Sequence, residues 1–298
     1  MFIFVLEKKE KNKFMGALEE TRFILNKYGI KANKRLGQNF LIDDNVIEAT
    51  VESANIEKDD MVIEIGPGLG TLTKLLLEKA KKVIAIELDD RMIKILNERF
   101  KLYNNFEVIN KDVLKVNLED LIKTEKEKSN IKKVKIVANL PYYITTPIIM
   151  KLLEDRLSIE SITVMVQKEV AKRLTANPGD KNSGAITYSV NYYTVPEEII
   201  EVSNDSFIPA PEVDSEVIKL TLREKPEIDV KNEGMFFKVI KASFMQRRKT
   251  LLNGLSNAGI ATKDEIRNVL NSLNLDENVR GESLNMQDFA NIANILSK

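Results

Sequence analysis

The sequence predicts an α/β fold: a doubly wound, mostly parallel sheet followed by a small all-α domain. Two patterns carry that prediction. From Asp60 to Gln167, short apolar runs such as "MVIEIG" and "VIAIEL" alternate with amphipathic segments of helical spacing, as expected of parallel strands joined by crossover helices. From Met235 onward every segment has helical spacing, with breaks at Gly259 and Gly281.

Residues 17–30 read as a short helix ended by Gly29, "KANKRLGQNFLID" as a basic loop, and Asn45 to Ala54 as a return to helical spacing. "MVIEIG" is the first sheet strand, an apolar run too short for a helix and closed by glycines. "TLTKLLLEKAKK" follows as an amphipathic helix with lysines near its C-terminus, where they complement the helix dipole. "VIAIEL" is the second strand, and Asp89 is placed to cap a helix running to Phe100. "FEVIN", "KIVANL" and "SITVMVQ" are the next strands; between the first two of these, Asn117 to Lys133 begins helical and ends as a charged surface stretch. "EEIIEVS" and "DSEVIKLTL" flank the proline-rich "NDSFIPAPEV" and are expected to pair antiparallel at one sheet edge. "REKPEID" reads as a linker. The expected organisation is an extension and helix over 1–30, a sheet domain over 31–224 and a helical domain over 229–298.

Composition removes whole classes of chemistry. The chain has no Cys and no His, so disulfides, thiolate or imidazole metal sites, cysteine nucleophiles and histidine triads are excluded, and no metal is expected. The missing Cys also suits a reducing, cytoplasmic setting. Forty-five Lys and Arg balance forty-five Asp and Glu, which denies the chain a global basic field. The charge is uneven, however. Residues 1–40 hold nine Lys/Arg against four Glu, and Gly234 to Lys263 holds six with no acid. Local basic faces on a neutral chain suit a polyanion, although ordinary solvated charge is the competing reading. Gln246 to Lys249 forms the densest cluster; Arg247, Arg248 and Lys249 are the candidate phosphate contacts, with a solvated helix end as the plain alternative. "MFIFVL" is too short for a signal-peptide core, and no membrane span is visible. The fourteen residues before Met15 are expected to precede the natural start. Balanced charge and the lack of a long apolar stripe make a monomer the expected state.

The strongest local signal is "VIEIGPGLGTLT". Gly66, Gly68 and Gly70 end the first strand just before a helix, where glycine lets a cofactor approach the backbone. Glu87 ends the second strand, the place from which a carboxylate reaches a ribose diol. A dinucleotide site needs its third glycine three residues after the second; here it comes two after, with Pro67 intervening and Glu64 just ahead. An acid beside the loop suits a cationic cofactor, which points to S-adenosyl-L-methionine. Asp112, after the third strand, is placed to accept from the cofactor's adenine amino group.

"ANLPYYITTP" is the second signal. A turn accounts for Asn139 and Pro141 but asks for no tyrosines. The Asn139 amide oxygen and the Leu140 or Pro141 carbonyl can accept both hydrogens of an exocyclic amine, and Tyr142 offers a face on which a displaced base can stack. Two oriented acceptors aim the nitrogen lone pair at a sulfonium methyl, and the product ammonium loses its proton to solvent without a dedicated base. Phe207, on the proline-stiffened loop, is a candidate to close the other face of the base, or else a core phenylalanine at a strand end.

"KRLGQNFLID", "EIGPGLGTLT", "AIELD", "NKDVL", "ANLPYYITTP", "VQKEVAKRL", "SFIPAPEVDSEVIKL" and "FMQRRKTLLNGL" together resemble the ribosomal RNA adenine dimethyltransferase family, in the family's order, from about Lys31 to the C-terminus. The resemblance implies a Rossmann-like methyltransferase sheet and two methyl transfers per adenine N6 from S-adenosyl-L-methionine. It implies cofactor contacts at Asn39, Leu41, Gly66, Glu87, Asp112 and Asn139, with Gly68 in the same loop. Target contacts fall on Asn139, Pro141, Tyr142 and Phe207. "NLPYYITTP", "QRRKTLLNGL" and "VRGESLNMQDFANI" look like the branch that modifies two adjacent adenines in the 3′-terminal hairpin of small-subunit rRNA, within an immature 30S particle. The alternatives are the large-subunit branch that gives macrolide resistance, and a role mainly as an assembly factor. A NAD-dependent dehydrogenase fails on glycine spacing and on the absent histidine.

Overall fold

The computed structural model describes residues 15–246 and 248–297. The proposed start at Met15 concerns residues 1–14, which lie outside the described residues, as does Arg247.

The chain opens with α1 (Ala17–Tyr28), β1 (Phe40–Leu41) and α2 (Asp44–Ser53). It then alternates β2 (Met61–Ile65), α3 (Thr71–Lys79), β3 (Lys82–Glu87), α4 (Asp90–Arg99), β4 (Phe106–Asn110), α5 (Leu118–Lys128), β5 (Val134–Asn139), α6 (Thr145–Glu154) and β6 (Ser161–Gln167). Helices α7 (Lys168–Thr175) and α8 (Ala185–Tyr193) precede β7 (Thr194–Val202), β8 (Phe207–Ile208) and β9 (Ser215–Leu222). Four helices finish the chain: α9 (Glu233–Met245), α10 (Leu251–Asn257), α11 (Lys263–Ser272) and α12 (Met286–Leu296).

Seven strands form one sheet in the order β4-β3-β2-β5-β6-β9-β7. The first five are parallel, and β9 and β7 add antiparallel at the edge, as the two late strands were expected to do. Order reverses between β2 and β5, so the strand ends there open a crevice, the usual ligand position in such sheets. Alternate residues of each strand feed two cores. Ile63, Ile65, Ile86, Ile136 and Ala138 pack beneath α5 and α6, whereas Val62, Val83 and Val137 pack beneath α2, α3 and α4. Burial on both faces explains why these strands read as continuous apolar runs.

A second, two-stranded sheet pairs β1 with β8, Phe40 opposite Ile208 and Leu41 opposite Phe207. The sequence patterns had left both segments as loop. Residues 168–193 had also gone unassigned, and they do structural work. Tyr188 and Tyr192 of α8 are buried among Phe236, Leu255, Leu270 and Phe289 of the C-terminal helices. The Tyr188 hydroxyl donates to the Leu284 carbonyl at 2.5 Å and accepts from the Gly179 amide at 3.1 Å. Among the described residues, no helix is long and apolar enough to cross a membrane.

Candidate active site

Three strand ends meet at the crevice. After β2, Gly66 and Gly68 take φ of +68° and +56°, values that an L side chain resists, and both line the pocket. Gly70 (φ +85°) does not line it; a Cβ there would fall 2.6 Å from the Phe100 ring, so this glycine serves packing at the start of α3. The loop is fixed to its neighbour strand by the Gly66 amide, which donates to the Ile86 carbonyl at 2.9 Å.

Glu87 ends β3 and is only 7% exposed. Its Oε2 accepts from the Gly68 amide (3.1 Å), and its Oε1 accepts from the Leu88 and Asp89 amides (2.8 and 2.9 Å). Burial raises its pKa, and the three amides oppose that rise. A carboxylate has about four acceptor positions, so Oε2 keeps room for a hydroxyl donor. Asp112 lines the same pocket, with Oδ1 capping the turn that follows by accepting from the Leu114 amide at 3.0 Å.

Glu64 departs from the expectation of a charged acid beside the loop. Strand alternation turns it under α3, where it is 1% exposed and its Oε2 accepts from the Thr73 hydroxyl at 2.6 Å. Burial pushes its pKa up to about 8, against the lowering effect of Thr73 and with a smaller push from Glu87. In the free protein at neutral pH this carboxyl is mostly protonated.

Asn139, the last residue of β5, faces this pocket together with Gly66 and Glu87. Its Nδ2 donates to the Asn39 carbonyl at 3.2 Å, which fixes the amide end for end and leaves Oδ1 as an acceptor. The Pro141 carbonyl accepts from the Ile144 amide (3.2 Å) and the Thr145 hydroxyl (3.1 Å), which uses both its lone pairs at the start of α6. Of the two backbone carbonyls considered from sequence, Leu140 is therefore the one available. Tyr142 is half-buried, its hydroxyl 2.6 Å from Ser215 Oγ, and burial raises its pKa.

The "GQNFL" loop closes the pocket from above. Gln38 Nε2 donates to Asp89 Oδ2 at 2.9 Å, and with its nitrogen turned toward the SFIP loop the Asn39 amide donates to the Pro209 carbonyl at 3.0 Å. Leu41 is buried in β1 and lines the inner wall. Phe207, the candidate second stacking aromatic, stands elsewhere. It is 3% exposed, sits opposite Leu41 in the β1–β8 pair, packs in the α2–α4 core and does not line the pocket. The core reading is the one this structure gives it. Arg248 and Lys249 are exposed in the connection between α9 and α10, away from the pocket, and Lys249 is held by a turn bond from its amide to the Gln246 carbonyl at 2.8 Å.

Comparison with known proteins bears on this geometry. The profile of the family described as "Ribosomal RNA adenine dimethylase" matches residues 29–298. The chain belongs to that family. Similar curated adenine dimethylase relatives include "Ribosomal RNA small subunit methyltransferase A" of Clostridioides difficile, 49% identical over 93% of this chain and 95% of that one. The protein of the same name from Geobacillus sp. is 46% identical over 96% and 98%. Among solved structures, a dimethyladenosine transferase from Plasmodium falciparum superposes with a TM-score of 0.72 at 30% identity, covering 85% of this chain and 95% of that chain. The 23S rRNA methyltransferase ErmE gives a TM-score of 0.66 at 24% identity over 87% and 100%, a likeness of fold. The chain is thus a methyltransferase of the rRNA adenine dimethylase family. Sequence reasoning missed Ser215 and Gln38 at this dimethylase site. No local pattern marks Ser215, which is brought to Tyr142 only by β9 docking on β6; Gln38 lies inside a motif that was quoted for its neighbours.

Proposed function

We propose that this dimethylase transfers methyl groups from S-adenosyl-L-methionine to the N6 amines of two adjacent adenines in the 3′-terminal hairpin of small-subunit rRNA, as a cytoplasmic monomer acting on an immature 30S particle. The observation that carries the chemistry is the Asn139 amide, pinned by the Asn39 carbonyl so that Oδ1 is left for the pocket it shares with Gly66 and Glu87. The residues fit the cofactor: the open backbone at Gly66 and Gly68, the spare lone pair of Glu87 for a ribose diol, Asp112 for a base, and the Asn39–Leu41 loop as a cover. S-adenosyl-L-methionine supplies a methyl group on a sulfonium, open to in-line displacement. Asn139 Oδ1 and the Leu140 carbonyl accept the two N6 hydrogens of a displaced adenine and orient the nitrogen lone pair. Tyr142 stacks on the base, and Pro141 holds the turn that aims the Leu140 carbonyl. The rate gain comes from placement and fixed dipoles rather than from a side-chain base. Arg247, Arg248 and Lys249 are the proposed phosphate contacts.

Purified protein with methyl-labelled cofactor and both rRNAs tests the substrate. Reverse-transcription stops are expected at paired adenines of the small-subunit hairpin, and stops confined to the large-subunit RNA would overturn the reading.

Glu64 adds a pH signature. A cationic ligand end beside a carboxyl with a pKa of about 8 favours its ionised form and so releases a proton on binding. Affinity for the cofactor is therefore expected to rise with pH up to about 8, with a limiting slope of about tenfold per pH unit, and to level off above. Glu64→Gln should flatten that profile. Calorimetry in buffers of different ionisation enthalpy counts the released proton directly, and no release would remove Glu64 from the role.

Ser215 yields a smaller effect. Ser215→Ala removes the hydroxyl partner of Tyr142, and kcat/KM for RNA is expected to fall about 2- to 12-fold, the worth of one ordinary hydrogen bond. Combining it with Tyr142→Phe should add little, since both substitutions remove the same contact. Additive losses in steady-state kinetics would show that Ser215 acts by another route.

A further inference from the structure

We propose that Tyr143 forms a second base-stacking subsite at the pocket rim, which takes the nucleotide next to the target adenine. This rests on the substrate reading above. Tyr143 follows Tyr142 in the one-turn helix after Pro141, yet the two rings have different surroundings. Tyr142 is half-buried and tied to Ser215. Tyr143 is 56% exposed at the pocket wall, and among the described residues its ring makes no aromatic pair and its hydroxyl no hydrogen bond.

The ring is nevertheless held in place. Gly37 has φ +61°, and a Cβ built there would lie 3.4 and 3.5 Å from two atoms of the Tyr143 ring and 3.5 Å from Pro141 Cβ. The ring therefore lies against the backbone of the "GQNFL" loop, with the rest of its surface open to solvent. A fixed, solvent-exposed aromatic ring beside a base pocket loses little entropy when a second ring stacks on it. Lys34 and Arg35 come two and three residues before Gly37; both are exposed and make no ion pair among the described residues. An aromatic platform beside free cations is the pattern by which proteins hold single-stranded nucleotides.

The physical need follows from the substrate. Drawing one adenine out of its stack leaves the neighbouring base with an exposed face. When two adjacent adenines are modified in turn, that neighbour is itself a target. A ring at the rim restacks it and holds it near the pocket.

The test uses the small-subunit 3′ hairpin carrying 2-aminopurine beside one target adenine, whose fluorescence is quenched when it stacks. With wild-type protein the bound probe is expected to stay quenched. With Tyr143→Ala and Tyr143→Leu it should brighten, with KM for RNA raised about 5- to 100-fold and kcat changed much less. Tyr143→Phe and Tyr143→Trp should retain both quenching and affinity. Equal quenching and affinity in the Leu variant, with the wild type methylating the hairpin normally, would overturn the subsite alone. Failure of the wild type to methylate the hairpin would overturn the substrate reading and the subsite with it. A thermal melt of each variant at the wild-type Tm separates loss of stacking from loss of fold.

Discussion

Asn139→Ala is expected to lower the single-turnover rate of methyl transfer by about 100- to 1000-fold, the usual cost of removing one fixed dipole aimed at a reacting group. The loss should fall on kcat with cofactor and RNA both saturating, because cofactor contacts at Gly66, Gly68 and Glu87 do not pass through this side chain. Stability should hold, since Asn139 is only partly buried at the strand end and gives up one side-chain bond, to the Asn39 carbonyl. Asn139→Asp is the sharper probe. It keeps the shape and the acceptor but cannot donate to Asn39, so a carboxylate oxygen would face a carbonyl oxygen. It should bind cofactor less tightly through the displaced "GQNFL" loop and should also turn over slowly. A rapid-quench assay of Asn139→Ala at the wild-type rate would remove the amide from the mechanism altogether.

What was legible in the sequence follows a physical line. The strands and the glycine turn were legible because each is written in local pattern: an apolar run, then a backbone that needs positive φ at Gly66 and Gly68. Placing Glu87 and Asn139 in one pocket needed only the rule that parallel strands present their C-terminal ends to one crevice. Features that depend on what a side chain meets across the fold were not legible. Glu64 read as an acid beside a cofactor loop, but strand alternation buries it against Thr73 and keeps it mostly protonated in the free protein. Phe207 read equally well as a stacking ring or a core ring, and only its pairing opposite Leu41 sends it inward. The β1–β8 ribbon is two residues on each side, too short to leave a period. Helix α8 carries tyrosines that read as mixed polarity until the C-terminal helices cover them.

Lys135 was read as part of a core strand, and the structure shows what such a placement requires. Its side chain is 2% exposed in β5, with Nζ 2.9 Å from Asp60 Oδ2 and 3.1 Å from Glu160 Oε2, and it also donates to the Asn55 carbonyl. Asp60 is wholly buried; its Oδ2 also accepts from the Glu57 amide at 2.8 Å, while Oδ1 has no partner. Lys135→Met fits the volume but leaves that carboxylate without its countercharge. The expected loss is about 3–5 kcal/mol, the cost of stranding one partner of a buried pair, seen as a lower urea midpoint and a Tm reduced by about 6–15 °C. Lys135→Met combined with Asp60→Leu should recover most of that loss, because an apolar replacement of the whole pair has no stranded charge to desolvate. A single variant as stable as wild type would show that water reaches Asp60 and screens it. Lys135 and Asn139 lie on the same strand about 13 Å apart, at opposite ends of the sheet. The methyl-transfer rate per folded molecule should therefore stay at the wild-type value in Lys135→Met even as the folded fraction falls. That is the reverse of the Asn139 result, so the two variants together separate what holds the sheet from what the sheet holds in place.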